Sequence, residues 1–177
     1  GLDIRDGSVT GVTIVDGHTG ERHRAPTSMV LNTAGPWVDE ILAGLEGSPR
    51  LIGGTKGSHF VVDPFPGAPS DALYYEARSD GRPMMVLPWR GQYMLGSTDL
   101  RFEGDLDRLG PSVEEVDYIL RETNRILPQV QLTEDDLLWG YTGVRPLPYS
   151  PERDVGDITR RHSFHDHAPQ VKGLVSL

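Results

Sequence analysis

Cysteine is absent from the 177-residue sequence. Its absence excludes disulfide bonds, thiolate nucleophiles and zinc sites with thiolate ligands, and it fits a reducing compartment. The sequence also lacks an apolar run near the roughly 20 residues that a membrane-spanning helix needs. A basic start followed by an apolar segment, the pattern of a secretory signal peptide, is missing as well. Disulfide-rich secreted scaffolds and zinc-thiolate proteins are therefore excluded as classes.

Lysine is scarce, because Lys56 and Lys172 are the only two lysines among 17 basic residues. Arginine is thus the usual cation, and the two lysines stand out as candidates for a specific role. The formal charge is −9, and residues 101–140 hold ten carboxylates against four arginines. This acidic balance argues against a surface that binds nucleic acid.

Three motifs of nucleotide-binding proteins and hydrolases are also missing: G-x-G-x-x-G, the phosphate loop with G-K-[ST], and the G-x-S-x-G turn. Any nucleotide site must therefore be completed by other residues. With 177 residues the chain can form one domain or parts of two, but it is short for an enzyme that holds both a large cofactor and a substrate. There is no initiator methionine, and residues 171–177 stop inside a predicted strand, so we expect a piece of a longer protein.

The first 50 residues predict a hairpin, a strand and a helix. Residues 9–25 alternate and turn at Asp16-Gly17, which indicates a hairpin. The apolar run 29–32 is followed by a glycine turn and then by apolar residues at helical spacing from Trp37 to Gly47. Pro36 suits the first position of that helix.

The remainder of the chain predicts a mostly antiparallel sheet with flanking helices, and hence a mixed α+β fold. Ser112 and Glu115 form a capping box, and apolar residues then hold one helix face until Pro128. Short strands are predicted near residues 58–63, 72–77, 83–89, 92–97 and 137–145.

Lys56 and His59 place an ammonium and an imidazole at the mouth of a predicted strand. Side chains alternate along a strand, so this spacing need not put both on one face, although a loop-to-strand junction can aim both at one cleft. A histidine there can take a hydroxyl proton, because its ordinary pKa lies near 6.5 and small shifts tune it across neutrality. The alternative is a surface or hydrogen-bonded core histidine without a chemical role.

Arg145 stands alone in the apolar, glycine-rich stretch 140–147. A guanidinium placed there must find a carboxylate or a phosphate, because a buried unpaired charge costs several kcal/mol. Its planar fork suits phosphate oxygens. The alternative is an internal ion pair, for which Asp99 is the obvious partner.

The stretch 159–167 holds three histidines and an aspartate. Imidazole and carboxylate ligands suit Zn, Fe or Ni, so a metal site is one interpretation. A polar hairpin tip is the simpler interpretation, and we expect no metal. Arg160 in this stretch could instead provide a second guanidinium that binds an anion.

Taken in order, these segments closely resemble the central part of the FAD-dependent glycerol-3-phosphate dehydrogenases, and the resemblance spans nearly the whole chain. An A-G-P-W-like turn also occurs in glycine oxidase and sarcosine oxidase relatives, whereas the ordered set with KGSH and GVRPL is specific. The segments are NTAGPWVDEI (32–41), TKGSHFVV (55–62), LPW (87–89), YMLGSTD (93–99), the helix from Ser112, DLLWGYTGVRPL (136–147) and DITRRH (157–162).

The resemblance implies a role for each matching residue. His59 matches the family's histidine beside flavin and substrate, which makes it the candidate general base, and Lys56 in the same motif is expected to contact the substrate. Arg145 and Arg160 match arginines that bind the substrate anion, and Asp99 matches an active-site aspartate.

The cofactor segment departs from the family pattern in one detail. Thr33, Ala34, Gly35 and Trp37 match a second approach of the backbone to FAD, with the usual Ala-Thr order reversed, so a specific threonine contact stays open. Arg161 and His162 stand where many relatives have an aspartate and an aromatic residue.

The implied reaction is oxidation of sn-glycerol 3-phosphate to dihydroxyacetone phosphate, with hydride transfer to FAD and electrons passed to a quinone. The implied organisation is part of an FAD-binding domain in 1–50, a substrate-binding cap domain in 51–150 and a return segment in 151–177. The implied location is the cytoplasm, with peripheral attachment at the inner face of the cytoplasmic membrane as an option. We expect the 177 residues alone neither to hold FAD tightly nor to turn over substrate.

Two other functions stay open at this point. An FAD-dependent amino-acid or 2-hydroxy-acid oxidoreductase of the glycine oxidase type would also use an arginine fork, for a carboxylate. A non-catalytic module that binds anions is the alternative from a different class.

Overall fold

A computed structural model describes all residues, 1–177, and the chain divides into two compact units. The split unit comprises residues 1–53 and 146–177, and the central unit comprises residues 54–145. The helices are α1 (Val38–Leu42) and α2 (Val113–Ile126). The strands are β1 (Leu2–Arg5), β2 (Ser8–Val15), β3 (Arg22–Pro26), β4 (Val30–Asn32), β5 (Thr55–Val62), β6 (Leu73–Glu76), β7 (Pro83–Trp89), β8 (Gln92–Gly96), β9 (Leu100–Arg101), β10 (Leu137–Arg145), β11 (His165–Asp166) and β12 (Leu174–Ser176).

The split unit contains two three-stranded sheets. The first has the order β1-β2-β3 with antiparallel pairing, so the predicted hairpin is confirmed. The second has the order β11-β12-β4, in which β12 runs parallel to β4 and pairs Ser176 with Asn32. Val9, Val38 and Leu174 are buried in the core beside these sheets.

The helix after β4 is shorter than the sequence pattern predicts. A 3₁₀ turn at Gly35–Trp37 leads into α1, which ends at Leu42 rather than near Gly47. Two turns, at residues 43–44 and 46–47, replace the predicted helical residues, and each contains a glycine. Gly47 has φ +74°, a left-handed conformation that glycine adopts readily. The Asp39 carboxylate then accepts hydrogen bonds from the backbone N–H groups of Leu51 and Ile52, both at 3.0 Å.

The central unit is an antiparallel sheet with the order β10-β5-β8-β7-β6, and β9 also pairs with β5. All five strands predicted for this region are present, and every pairing among them is antiparallel. The predicted fold class, a mixed α+β fold with a mostly antiparallel sheet, is confirmed.

Helix α2 covers one face of this sheet. It begins with the predicted capping box, in which the Ser112 hydroxyl accepts from the Glu115 N–H and the Glu115 carboxylate accepts from the Ser112 N–H. Ile119 is fully buried against Phe60 and Val62 of β5. We call this side of the sheet the helix face.

The opposite side of the sheet carries His59, and we call it the histidine face. Residues alternate along β5, so Gly57 and His59 lie on the histidine face while Ser58 and Phe60 lie on the helix face. Tyr141 and Trp139 of β10 are 44% and 47% exposed on this side. No helix of the chain combines the length and the apolarity that crossing a lipid bilayer requires.

Candidate active site

His59 lies at the centre of the histidine face in a row of cross-strand neighbours. Tyr141 is its partner on β10 and Gly96 its partner on β8. The imidazole stacks on the Tyr141 ring, with centroids 4.9 Å apart and planes within 8°. On its other side it lies against Gly96, where a Cβ atom would be only 2.9 Å from the His59 Cγ. The bare backbone of Gly96 and the tyrosine ring therefore fix the orientation of the imidazole.

The environment of His59 favours the neutral imidazole. Burial, together with the positive charge of Arg145, lowers the pKa of His59 below its ordinary value. Its Nδ1 atom is buried and has no hydrogen-bond partner, so the interpretation as a hydrogen-bonded core histidine does not hold for this nitrogen. A neutral imidazole can accept a proton from an alcohol, which is the property that a general base needs.

Arg145 lies on the same face, at the end of β10. Its Nη1 atom donates to Asp99 Oδ1 at 3.0 Å, and Nη1 and Nη2 both donate to the Thr98 carbonyl at 3.4 Å. The guanidinium lies directly over Gly57, because a Cβ atom there would be 2.7 Å from the Arg145 Cζ. The side chain remains 28% exposed. The internal pair with Asp99, which the sequence left open, is thus formed without enclosing the guanidinium.

Asp99 links two arginines. Its side chain is 8% exposed, its Oδ1 atom accepts from Arg145, and its Oδ2 atom lies 3.7 Å from Arg82 Nη1. Through these contacts Asp99 fixes the plane of the Arg145 guanidinium.

Lys56 does not share a cleft with His59, and this part of the sequence-based expectation is corrected. Its side chain points to the helix face, where Nζ lies 2.7 Å from Glu115 Oε2 and 3.2 Å from the carbonyl oxygen of Gly110. The reason is the alternation of strand side chains, since residues three apart in one strand face opposite sides. The capping-box pattern identified Glu115 as a helix start but did not indicate its lysine partner.

A second group of predicted residues lies in the split unit, around a cavity of about 600 Å³. The cavity is at the carboxyl ends of the parallel strands β4 and β12, the usual position of ligands in parallel sheets. Thr33, Gly35 and Arg160 line it. Gly35 has φ +59°, and a Cβ atom at this residue would meet no atom within 4 Å, so its backbone is open to a ligand. The size and open backbone of this cavity fit part of a dinucleotide such as FAD.

Two further residues predicted to contact the cofactor neighbour this cavity in sequence. The Ala34 N–H donates to the side chain of Asn32 at 3.2 Å, and Trp37 is 37% exposed. The turn is therefore anchored from within the unit, by the buried Asn32 at the end of β4.

Part of the histidine-rich stretch forms β11, at the edge of the sheet β11-β12-β4. Residues 165–166 pair with β12, and His167 Nε2 lies 2.8 Å from the Ser176 hydroxyl. Burial and the neighbouring His165 lower the pKa of His167. Nowhere in the chain do three or more His, Cys, Asp or Glu side chains converge as they would around a metal ion.

The predicted site residues therefore fall into two sets. His59, Arg145 and Asp99 meet in the central unit, and Thr33, Gly35 and Arg160 meet in the split unit. The sequence did not identify Thr98, Arg82 or Glu115 as neighbours of the site, because each reaches it through contacts between distant strands and helices.

Nearly the whole chain is similar to known proteins. A glycerol-3-phosphate dehydrogenase of Synechocystis sp. is 48% identical over 180 residues, which cover 96% of this chain and 32% of the relative. The structure of the glycerol-3-phosphate dehydrogenase from Bacillus halodurans complexed with FAD superposes with a TM-score of 0.83 at 30% identity, over 99% of this chain and 33% of that protein. The chain thus spans about a third of the length of these relatives.

A more distant structure shares the fold alone. Glycine oxidase from Bacillus cereus has a TM-score of 0.59 at 17% identity, over 99% of this chain and 42% of that protein. Residues 1–175 match the protein family described as FAD dependent oxidoreductase. This chain belongs to the FAD-dependent oxidoreductase family.

Proposed function

We propose that the protein, at its natural full length, oxidises sn-glycerol 3-phosphate to dihydroxyacetone phosphate. The observation that carries the proposal is the juxtaposition of His59 and Arg145 on the histidine face. A neutral imidazole and a partly exposed guanidinium are held there on one sheet surface, with only the backbone of Gly57 beneath the arginine. A base beside an anion fork is what a phosphorylated alcohol requires. The names of the relatives at 48% and 30% identity support this substrate.

His59 acts as the general base in this proposal. Its imidazole accepts the proton of the C2 hydroxyl, so that the C2 carbon can release a hydride and become the ketone carbon. Bound FAD supplies the hydride acceptor. Two electrons and one proton leave C2 as the hydride, and the second proton resides on His59 until solvent removes it.

Arg145 holds the phosphate in this proposal, with the guanidinium that Asp99 and the Thr98 carbonyl orient. Arg160 lies in the split unit, and its contact with the substrate anion stays a sequence-based prediction. Fixing the phosphate fixes C2 relative to the base, which converts an encounter between free molecules into a reaction within one complex. Lys56 has no part in this contact, because Glu115 holds its ammonium on the helix face.

The split unit contributes to the cofactor site. Thr33, Ala34, Gly35 and Trp37 would present backbone and side-chain groups to FAD at the cavity beside β4 and β12, and the central unit would form the substrate-binding cap. The proposal has a quinone as the final electron acceptor and the cytoplasm as the location, with peripheral attachment at the inner face of the cytoplasmic membrane as an option.

Steady-state kinetics of the full-length protein test the proposal. We expect turnover of glycerol 3-phosphate, and much slower turnover of glycerol, sarcosine and 2-hydroxyglutarate with the same artificial electron acceptor. His59→Gln should lower kcat by about 10²–10⁴-fold, the usual contribution of a general base. Arg145→Gln should raise KM for glycerol 3-phosphate but leave the rate with glycerol unchanged.

Other outcomes would exclude the assignment. Faster turnover of sarcosine or 2-hydroxyglutarate than of glycerol 3-phosphate would assign the fork to a carboxylate substrate. Full activity of His59→Gln would remove the proposed base.

A further inference from the structure

A buried polar network lies on the helix face, directly beneath the site. The Glu115 side chain has no solvent exposure and receives four donors: Thr98 Oγ1 at 2.6 Å, Lys56 Nζ at 2.7 Å, Ser58 Oγ at 2.9 Å and the Ser112 N–H at 2.9 Å. A capping box itself requires only one of these donors, the backbone N–H of the N-cap residue. Here donors converge from β5, from the turn after β8 and from the helix start.

The network holds Glu115 in its charged form. Burial raises the pKa of Glu115, but the hydrogen bonds from Lys56, Thr98, Ser112 and Ser58 outweigh burial, and the pKa is lowered overall. A buried carboxylate with this many donors has little freedom to rotate, because each change of rotamer breaks a charge-assisted hydrogen bond.

Thr98 connects this network to the site. Its hydroxyl donates to Glu115 at 2.6 Å and accepts from the Ser58 N–H at 2.8 Å. These two hydrogen bonds fix the position of the Thr98 side chain. Its carbonyl oxygen points to the other face of the sheet, where it accepts from both terminal nitrogens of Arg145. The next residue, Asp99, accepts from the same guanidinium at 3.0 Å.

We propose that Glu115 is a positioning residue for substrate binding: it anchors Thr98, and the turn at 96–99 thereby holds the Thr98 carbonyl and the Asp99 carboxylate in place around Arg145. This inference rests on the proposed function, because it assigns Arg145 to the substrate anion. Glu115 itself touches neither substrate nor cofactor. Its contribution is to keep the Arg145 fork in the plane that receives the anion.

The experiment compares three variants of the network with two matched controls, all in the full-length protein with FAD bound. Thr98→Val removes the hydroxyl at nearly constant volume, and Thr98→Ser retains it. Glu115→Gln removes the charge of the anchor. The matched controls are Thr123→Val and Glu122→Gln, because both residues are buried on α2 and hydrogen-bonded, to Tyr75 and to Arg125 and the Arg78 N–H respectively. Neither control contacts the turn at 96–99.

We expect Thr98→Val and Glu115→Gln to raise KM for glycerol 3-phosphate about tenfold with kcat within about threefold of the wild type, the size of one lost polar contact to the anion. Thr98→Ser should retain the wild-type KM, because it keeps the hydroxyl. The controls should lower the melting temperature without moving KM. If Glu115→Gln does not fold, the comparison of Thr98→Val with Thr98→Ser decides.

Two results would overturn the inference while leaving the proposed function intact. One is an unchanged KM in Thr98→Val despite normal turnover of glycerol 3-phosphate by the wild type. The other is an equal rise of KM in the controls, which would show a general effect of destabilisation. Failure of the wild type to oxidise glycerol 3-phosphate would instead refute the proposed function itself.

Discussion

At the scale of single residues, the site depends on glycines that let side chains lie flat on the sheet. Gly57 and Gly96 sit under the Arg145 guanidinium and the His59 ring respectively. A side chain at either position would occupy the space that these groups use. The histidine face thus places the two proposed functional side chains directly over glycine backbone, and only glycine allows so close an approach.

Gly57→Ala is expected to impair substrate binding more than stability. The new methyl group would overlap the end of the flexible Arg145 side chain, which can move away at low cost in folding free energy. The displaced guanidinium would lose its contacts with Thr98 and Asp99. Under the proposed function, we expect KM of the full-length protein for glycerol 3-phosphate to rise by at least about tenfold, with a change in melting temperature of no more than a few degrees.

Gly143→Ala is the matched control for this substitution. Gly143 faces Gly57 across the β5–β10 ladder, and a Cβ atom added there would have no neighbouring atom within 4 Å. Its alanine variant should retain the wild-type KM. Equal effects of the two substitutions would show that the sheet, and not the position of Arg145, limits binding.

At the scale of elements, the sequence predicted what local patterns determine. Every strand of the central sheet except the two-residue β9 lies between turn signals that Pro, Gly and Asp provide, and α2 follows from Ser112, Glu115 and its apolar stripe. The sequence pattern predicts too long a helix α1. Leu45 continues the helical spacing, but it packs against the core from a turn between two glycines. Local spacing alone does not separate these two ways to bury a leucine.

Contacts between distant elements were harder to predict. The partner of Lys56 lies 59 residues further along the chain, and β4 pairs with a strand more than 140 residues away. The Arg145–Asp99 pair was an alternative that the sequence left open, because a single arginine in an apolar strand needs an acid or a phosphate. No such rule selects Glu115 for Lys56, since residues 101–140 offer ten carboxylates.

Ser112→Ala is expected to destabilise the start of α2. It removes the hydroxyl that accepts from the Glu115 N–H, and loss of such a cap typically lowers the free energy of unfolding by about 1 kcal/mol. Ser112→Thr should retain most of the stability. Chemical denaturation monitored by circular dichroism measures the difference.

Ser48→Ala provides the comparison for loss of a hydroxyl. The Ser48 Oγ atom is buried without a hydrogen-bond partner, so its removal should leave stability unchanged or slightly increased. A loss in Ser48→Ala as large as that in Ser112→Ala would contradict the assignment of the effect to the cap.

At the scale of the whole molecule, each unit carries one histidine that is held neutral. Burial is the main cause for both His59 and His167, and it lowers the pKa of each below 6.5. The unfolded chain therefore binds protons at a higher pH than the folded chain does. The stability that these two neutral histidines contribute is fully present above about pH 7, and it is lost as the pH falls through 6.5 toward their lower pKa values in the folded chain. Glu115 and Glu122, whose pKa values are lowered from 4.5, stabilise the fold throughout this range, and their contribution is lost only as the pH falls below about 4.5.

We therefore expect the melting temperature to fall between pH 7.5 and pH 5.5 at constant ionic strength. The double variant His59→Gln, His167→Asn should melt at a lower temperature at pH 7.5, because His167 loses its contact with Ser176, but its melting temperature should depend less on pH across this window. His23→Gln, a substitution of an exposed histidine, serves as the control. Differential scanning fluorimetry at steps of about half a pH unit resolves such slopes, because 1 kcal/mol moves the melting temperature by about 2–4 °C in a chain of this size. A wild-type melting temperature that is constant or rises on acidification would show that neither histidine is held neutral by the fold.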